Sequence, residues 1–186
     1  MKKRLITVAT LAAFLIVPAF SQTSFYDFTV ETIDGEQFSF ADLKGKKVMI
    51  VNTASKCGHT PQYKDLELLH KAYKSKLVII GFPANNFMNQ EPGTNEDIKE
   101  FCESKYGVTF PMMAKISVKG NDMHPLYKWL TSKSANGVLD SEVAWNFQKY
   151  LIDENGNLVG FLKPAIKPLS DEVVMWVNRG QFTQAK

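Results

Sequence analysis

The sequence predicts an α/β domain in which a central mixed β-sheet is flanked by helices and preceded by an N-terminal β-hairpin. Three observations carry that prediction. Two short apolar runs, Val48 to Val51 and Leu77 to Phe82, bracket a stretch where Tyr63, Leu66, Leu69 and Tyr73 recur at helical spacing, the pattern of a strand, a helix and a second, parallel strand. Asp34-Gly35 and Asp153 to Asn157 each join β-leaning segments through residues suited to tight turns, which adds antiparallel hairpins at both ends. The 186 residues contain no repeat, low-complexity tract or linker, so one domain is expected.

Taken in order, Phe28 to Ile33 and Gln37 to Phe40 form the opening hairpin. Val48 to Val51 suits a strand buried on both faces. The small polar residues Asn52 to Gly58 follow, with Thr60 as N-cap and Pro61 as first residue of a helix. Cys57 thus falls in a strand-to-helix turn, near unpaired N–H groups, a helix N-terminus and Lys56, all of which favour a thiolate. After the second strand, Pro83 to Gly93 is an amide-rich loop with Asn85, Asn86, Asn89 and Gln90, at the carboxyl end of a strand where open α/β sheets place their sites. Thr94 caps the next helix, Glu96 and Asp97 occupy its first turn, and Gly107 ends it. Ile98, Phe101 and Cys102 share its apolar face at i, i+3 and i+4. Pro111 to Ile116 suits another strand, His124-Pro125 opens a short helix, and Ser132 to Ser141 is a polar loop. Ala144 to Ile152 and Leu158 to Leu162 make the second hairpin, and a helix from Ser170 to Asn178 closes the domain.

Residues 1–21 read as a secretory leader rather than as part of the fold. Lys2, Lys3 and Arg4 precede an uncharged apolar stretch from Leu5 to Val17, and Ala19-Phe20-Ser21 offers small residues at a cleavage point. That stretch is shorter than the roughly 20 residues that span a bilayer, so no stable membrane anchor is expected, and a periplasmic or secreted location is. Without the leader, 19 basic residues face 19 acidic ones, a balance that argues against nucleic acid as a partner.

About 165 residues remain, enough for a full hydrophobic core without disulfide staples. Cys57 and Cys102 are open to two readings: a structural bridge, or reactive thiols in an exported protein. Thr60 stands where a Cys-x-x-Cys oxidoreductase needs its second cysteine. Cys57 and His59 with two distant histidines are too few ligands for zinc or copper, so neither a metal nor a cofactor is expected.

Over nearly the whole mature length the chain resembles the cysteine-containing glutathione peroxidase family. The matching motifs are Asn52-Thr-Ala-Ser-Lys-Cys-Gly58 with Thr60, Gly81-Phe-Pro83, Asn89-Gln-Glu-Pro-Gly93 with Asn95-Glu96, and Phe101-Cys102. They continue through Tyr106-Gly-Val-Thr-Phe-Pro111, His124-Pro-Leu-Tyr127 and Trp145-Asn-Phe147. The resemblance implies a thioredoxin-like fold and reduction of hydroperoxides by Cys57, with Gln90, Trp145 and Asn146 completing the catalytic group. It also implies that Cys102 resolves a Cys57 sulfenic acid and that a thioredoxin-like protein, or glutathione, supplies electrons. The side chains suit such roles, because two amides and an indole are neutral N–H donors that can hold a charged sulfur and orient a peroxide. Trp145 and Asn146 are adjacent in the chain, so both can approach one sulfur only where a strand begins irregularly. Asn86, Ala84 and His59 depart from the family's usual glutamine, cysteine and aromatic residue. The Ser132 to Ser141 loop lacks the insertion of tetrameric relatives, so a monomer is expected. The alternative is a non-enzymatic thioredoxin-fold binding protein with a permanent 57–102 bridge.

Overall fold

The computed structural model of the chain describes residues 23–184; the expected leader lies outside them. Strands β1 (Thr29–Glu31) and β2 (Gln37–Ser39) pair antiparallel as the opening hairpin. Strand β3 (Lys47–Thr53), helix α1 (Gln62–Tyr73) and strand β4 (Leu77–Pro83) form the expected βαβ unit, with β3 and β4 parallel and in register from Lys47/Leu77 to Thr53/Pro83. Helices α2 (Asn95–Tyr106), α3 (Pro125–Thr131) and the short α4 (Lys133–Asn136) follow. Strands β5 (Lys149–Ile152) and β6 (Leu158–Leu162) and helix α5 (Asp171–Arg179) complete the chain. The main sheet runs β4-β3-β5-β6, parallel at β3/β4 and antiparallel at the other two pairings.

Alternation along β3 divides the core into two layers. Met49 and Val51 face α1, α2 and α5, packing with Tyr63, Leu66, Leu69, Ile98 and Trp176, in the cluster that also holds Cys57 and Cys102. Val48 and Ile50 face α3 and the hairpin side, with Phe25, Phe40, Leu126 and Tyr127. Both faces of β3 are therefore covered, and every residue of the strand is buried, as its unbroken apolar run requires.

Four local expectations are corrected. Thr60 does not cap α1: the helix starts at Gln62 and Pro61 stands before it without a side-chain cap, because the Thr60 hydroxyl is committed to the Cys57 turn. Pro111 to Ile116 does not build a ladder. Met112 bridges to Gly81 and Met113 to Thr32, so this segment joins β4 to the hairpin through single bridges, and any side chain at Gly81 would collide with the Met112 sulfur. The polar loop contains α4, closed by Asn136, whose Nδ2 donates to the carbonyls of Trp129 and Leu139. Strand β5 begins only at Lys149, since the chain from Ala144 to Gln148 is turned aside at Phe147, which is not glycine yet has φ +65°.

Candidate active site

The Cys57 turn is fixed by backbone and hydroxyl bonds before any ligand arrives. The Cys57 N–H donates to Thr60 Oγ1 at 3.0 Å, and that hydroxyl donates to the Ala54 carbonyl at 2.8 Å. The Thr60 N–H returns to the Cys57 carbonyl at 3.0 Å. The sulfur accepts the His59 N–H at 3.4 Å, so a backbone donor faces it at the N-terminal approach to α1. Cys57 itself is buried, with 8% of its surface exposed.

The amide loop after β4 is tied directly to this turn. The Lys56 N–H donates to the Gln90 carbonyl at 3.0 Å, which sets Gln90 beside the cysteine turn. Met88 and Asn89 hold φ of +51° and +52°, a left-handed pair of non-glycine residues of the kind that persists where surrounding structure over-determines it. Here the restraints are the Gln90 N–H to the Phe87 carbonyl at 3.1 Å and the Glu91 N–H to Asn85 Oδ1 at 2.8 Å. Asn86 clamps the loop from outside, accepting the Val118 N–H and donating to Ser117 Oγ and the Lys119 carbonyl.

Asn146 is fully buried and donates from Nδ2 to Gln90 Oε1 at 3.0 Å. With its oxygen occupied in this way, Gln90 is oriented to offer its Nε2 hydrogens. Trp145 is half-buried, its ring 5.2 Å from that of Phe87 on the amide loop and packed against the cluster that holds Cys57. The irregular approach to β5 has a specific cause. Asn52 on β3 donates from Nδ2 to the Trp145 carbonyl at 3.0 Å, and its backbone carbonyl accepts the Phe147 N–H at 2.6 Å. Asn52 therefore dictates the turn that presents two successive side chains.

Cys102 lies apart from this group, on the inner face of α2. Both cysteines are free thiols. Cys102 is 1% exposed and burial pushes its thiol up to about 11. The fully buried Tyr63 phenol is its neighbour and is itself held well above its ordinary value, first by burial and then by the thiol's charge. The helix around Cys102 begins with a Thr94/Asp97 capping box and ends at Gly107 with φ +61°, as its sequence signals require. Among the described residues no three His, Cys, Asp or Glu side chains gather as a metal site.

Sequence reasoning passed over Asn52, Thr60 and Glu91 as working residues. Asn52 and Thr60 stand in the motif around Cys57; the partners of Asn52 become visible only when the approach to β5 is folded against β3, while those of Thr60 lie three and six residues behind it.

A buried, donor-facing cysteine at the end of a central strand, with a second thiol on the next helix, defines a thioredoxin-fold protein of thiol redox chemistry. The solved structure of a thiol:disulfide interchange protein from Chlorobium tepidum has this fold, with a TM-score of 0.57 at 23% identity over 81% of this chain and 92% of that one. The family is narrower. The glutathione peroxidase family profile matches residues 25–131. The chain is 51% identical over 149 residues to glutathione peroxidase-like peroxiredoxin 2 of Saccharomyces cerevisiae, covering 80% of this chain and 92% of the relative. The structure of Trgpx in apo form superposes with a TM-score of 0.65 at 38% identity, over 86% of this chain and 98% of that one. The chain belongs to the glutathione peroxidase family.

Proposed function

We propose that the protein, a thiol peroxidase with a peroxide substrate and a thiol reductant, works through Cys57 as the attacking group and Cys102 as the resolving one. The Cys57 thiolate attacks one peroxide oxygen, the S–O bond forms as the O–O bond breaks, and the departing alkoxide or hydroxide takes a proton. Gln90, with Trp145 and Asn146, orients the peroxide and stabilises the charge that moves from sulfur to oxygen. The observation that carries this reading is the chain of bonds from Lys56 to the Gln90 carbonyl and from Gln90 Oε1 to Asn146, which ties three separate segments into one donor site. Cys102 then attacks the Cys57 sulfenic acid, the S–S bond replaces the S–O bond, and water leaves. A dithiol partner returns both cysteines to thiols.

A thioredoxin-like donor is favoured over glutathione because Cys102 provides an internal thiol and leaves a disulfide that a dithiol protein reduces. The short Ser132 to Ser141 segment, folded around α4, supports a monomer, which light scattering tests. The leader at residues 1–21 supports export, tested by N-terminal sequencing of protein from the periplasmic or secreted fraction. The central test is coupled turnover of hydrogen peroxide and an organic hydroperoxide with thioredoxin and glutathione in competition. Consumption driven mainly by thioredoxin and lost in Cys102→Ser is expected; equal turnover of the variant with thioredoxin overturns the resolving role.

A further inference from the structure

Glu91 follows Gln90 in the chain and goes where carboxylates seldom go: it is 1% exposed. Among the described residues it makes no ion pair within salt-bridge distance, and its Oε2 is buried without a hydrogen-bond partner. The Ser55 hydroxyl and N–H face the carboxyl group, and the charges of Lys115 and Lys56 act on it from further away. Lys115 is already occupied with the carbonyls of Gly93 and Glu91. Burial is the largest influence and raises the carboxyl above its ordinary value. A buried carboxyl group with an open oxygen, costly to keep in a fold, calls for a use.

Its position supplies one. A cavity of about 270 Å³ is lined on one side by Ser55 and Lys56 of the Cys57 turn and on another by Ile98 and Phe101 of α2, with Glu91 and Pro92 between them. Ile98 and Phe101 flank Cys102 on the same helix. The cavity thus lies between the turn that carries one thiol and the helix that carries the other, and Glu91 is close enough to Cys102 and Tyr63 for its charge to act on both.

We propose that Glu91 is the proton acceptor for the resolving thiol. As α2 opens and Cys102 moves into this cavity, the thiol proton passes to Glu91, the Cys102 sulfur bonds to the Cys57 sulfur, and the hydroxide leaving Cys57 takes the proton from Glu91 as water. Atoms and charge balance without an outside reactant, and Glu91 ends as it began. The need is real, because burial holds Cys102 as a thiol where it starts, and only the thiolate attacks. The groups facing Glu91 are Ser55, Lys56, Lys115, Tyr63 and Cys102, while Asp97 on the cavity wall is held in the α2 capping box. This inference rests on Cys102 as the resolving cysteine.

Stopped-flow oxidation with one equivalent of peroxide, quenched and mapped by mass spectrometry from pH 5 to 9, resolves sulfenic acid formation and disulfide formation in one experiment. In the wild type the disulfide phase is expected to rise as Glu91 ionises and then level off through the neutral range. Glu91→Gln is expected to slow that phase by about 10- to 100-fold at pH 7, within the range of general base catalysis. It should also replace the plateau by a tenfold rise per pH unit, and Glu91→Asp should recover part of the rate. The sulfenic acid phase of the same samples separates this loss from general damage, and if Glu91→Gln does not fold, the wild-type profile decides alone. A wild-type disulfide phase that climbs tenfold per pH unit without levelling, or a folded Glu91→Gln that resolves at the wild-type rate, overturns the role of Glu91 only. A wild type that forms no 57–102 disulfide overturns the resolving role of Cys102 as well.

Discussion

The two cysteines sit in one hydrophobic cluster but are held in opposite ways. Cys57 is locked from three directions: Thr60 through its hydroxyl, Lys56 through its bond to the Gln90 loop, and His59 through the N–H on the sulfur. Cys102 rides on a 12-residue helix whose ties to the rest of the molecule are lighter. They include the exposed Lys99–Asp34 pair at 2.7 Å and the Asn95 side chain accepting the Lys115 N–H at 2.9 Å. A helix of that length is marginal without its packing, and an exposed pair such as Lys99–Asp34 contributes about 0–1 kcal/mol. On the reading proposed above, the difference amounts to a division of labour: the thiol that meets peroxide is preorganised, and the thiol that resolves it is free to be released.

The largest expected effect removes the fixed side altogether. Cys57→Ser should abolish peroxide consumption, because a hydroxyl supplies almost no anion near neutral pH; more than a few per cent of wild-type turnover in a coupled assay would break the comparison at its first term. Next, Gln90→Ala and Trp145→Phe should each lower the second-order rate with peroxide by about 10- to 1000-fold, the range for loss of an oriented donor. Rapid-mixing rates unchanged in both would show that the donors orient nothing.

Thr60→Val should destabilise the fold by about 1–3 kcal/mol, since it leaves the buried Cys57 N–H and the Ala54 carbonyl without their partner. Denaturant titration with an unchanged midpoint would show that the turn does not depend on that hydroxyl. The smallest effect sharpens the other side. Thr94→Ala removes the α2 cap, worth about 0.5–2 kcal/mol, and should speed disulfide formation by about 2- to 30-fold while leaving sulfenic acid formation alone. A slower disulfide phase in the quenched-flow record would mean that the intact helix, rather than the opened one, presents Cys102.

What the sequence made legible divides along the same line. Helix α2 could be read to its ends because Thr94, Asp97 and Gly107 act within one turn of themselves, and the β3-α1-β4 unit could be read because its periodicity is local. The turn at Phe147 could not, because its positive φ is imposed by Asn52, 95 residues earlier. Thr60 looked like a helix cap because Thr-Pro has that local meaning, while its actual partners lie behind it in the chain. Pro111 to Ile116 has strand composition, but its neighbours on the two sides offer single bridges instead of a ladder. Glu91 reads as an ordinary loop residue in Gln90-Glu-Pro-Gly93, and its burial shows only in the folded chain.

The division of labour between a fixed and a releasable thiol is tested most directly by trapping. Wild type and Cys102→Ser are each treated with one equivalent of hydrogen peroxide, quenched within milliseconds to seconds, and mapped by mass spectrometry with a sulfenic acid trap. The expected result is a sulfenic acid at Cys57 that converts to a 57–102 disulfide in the wild type and persists, then over-oxidises, in the variant. Oxidation appearing first at Cys102, or a wild type whose Cys57 sulfenic acid never gives way to the disulfide, would contradict it.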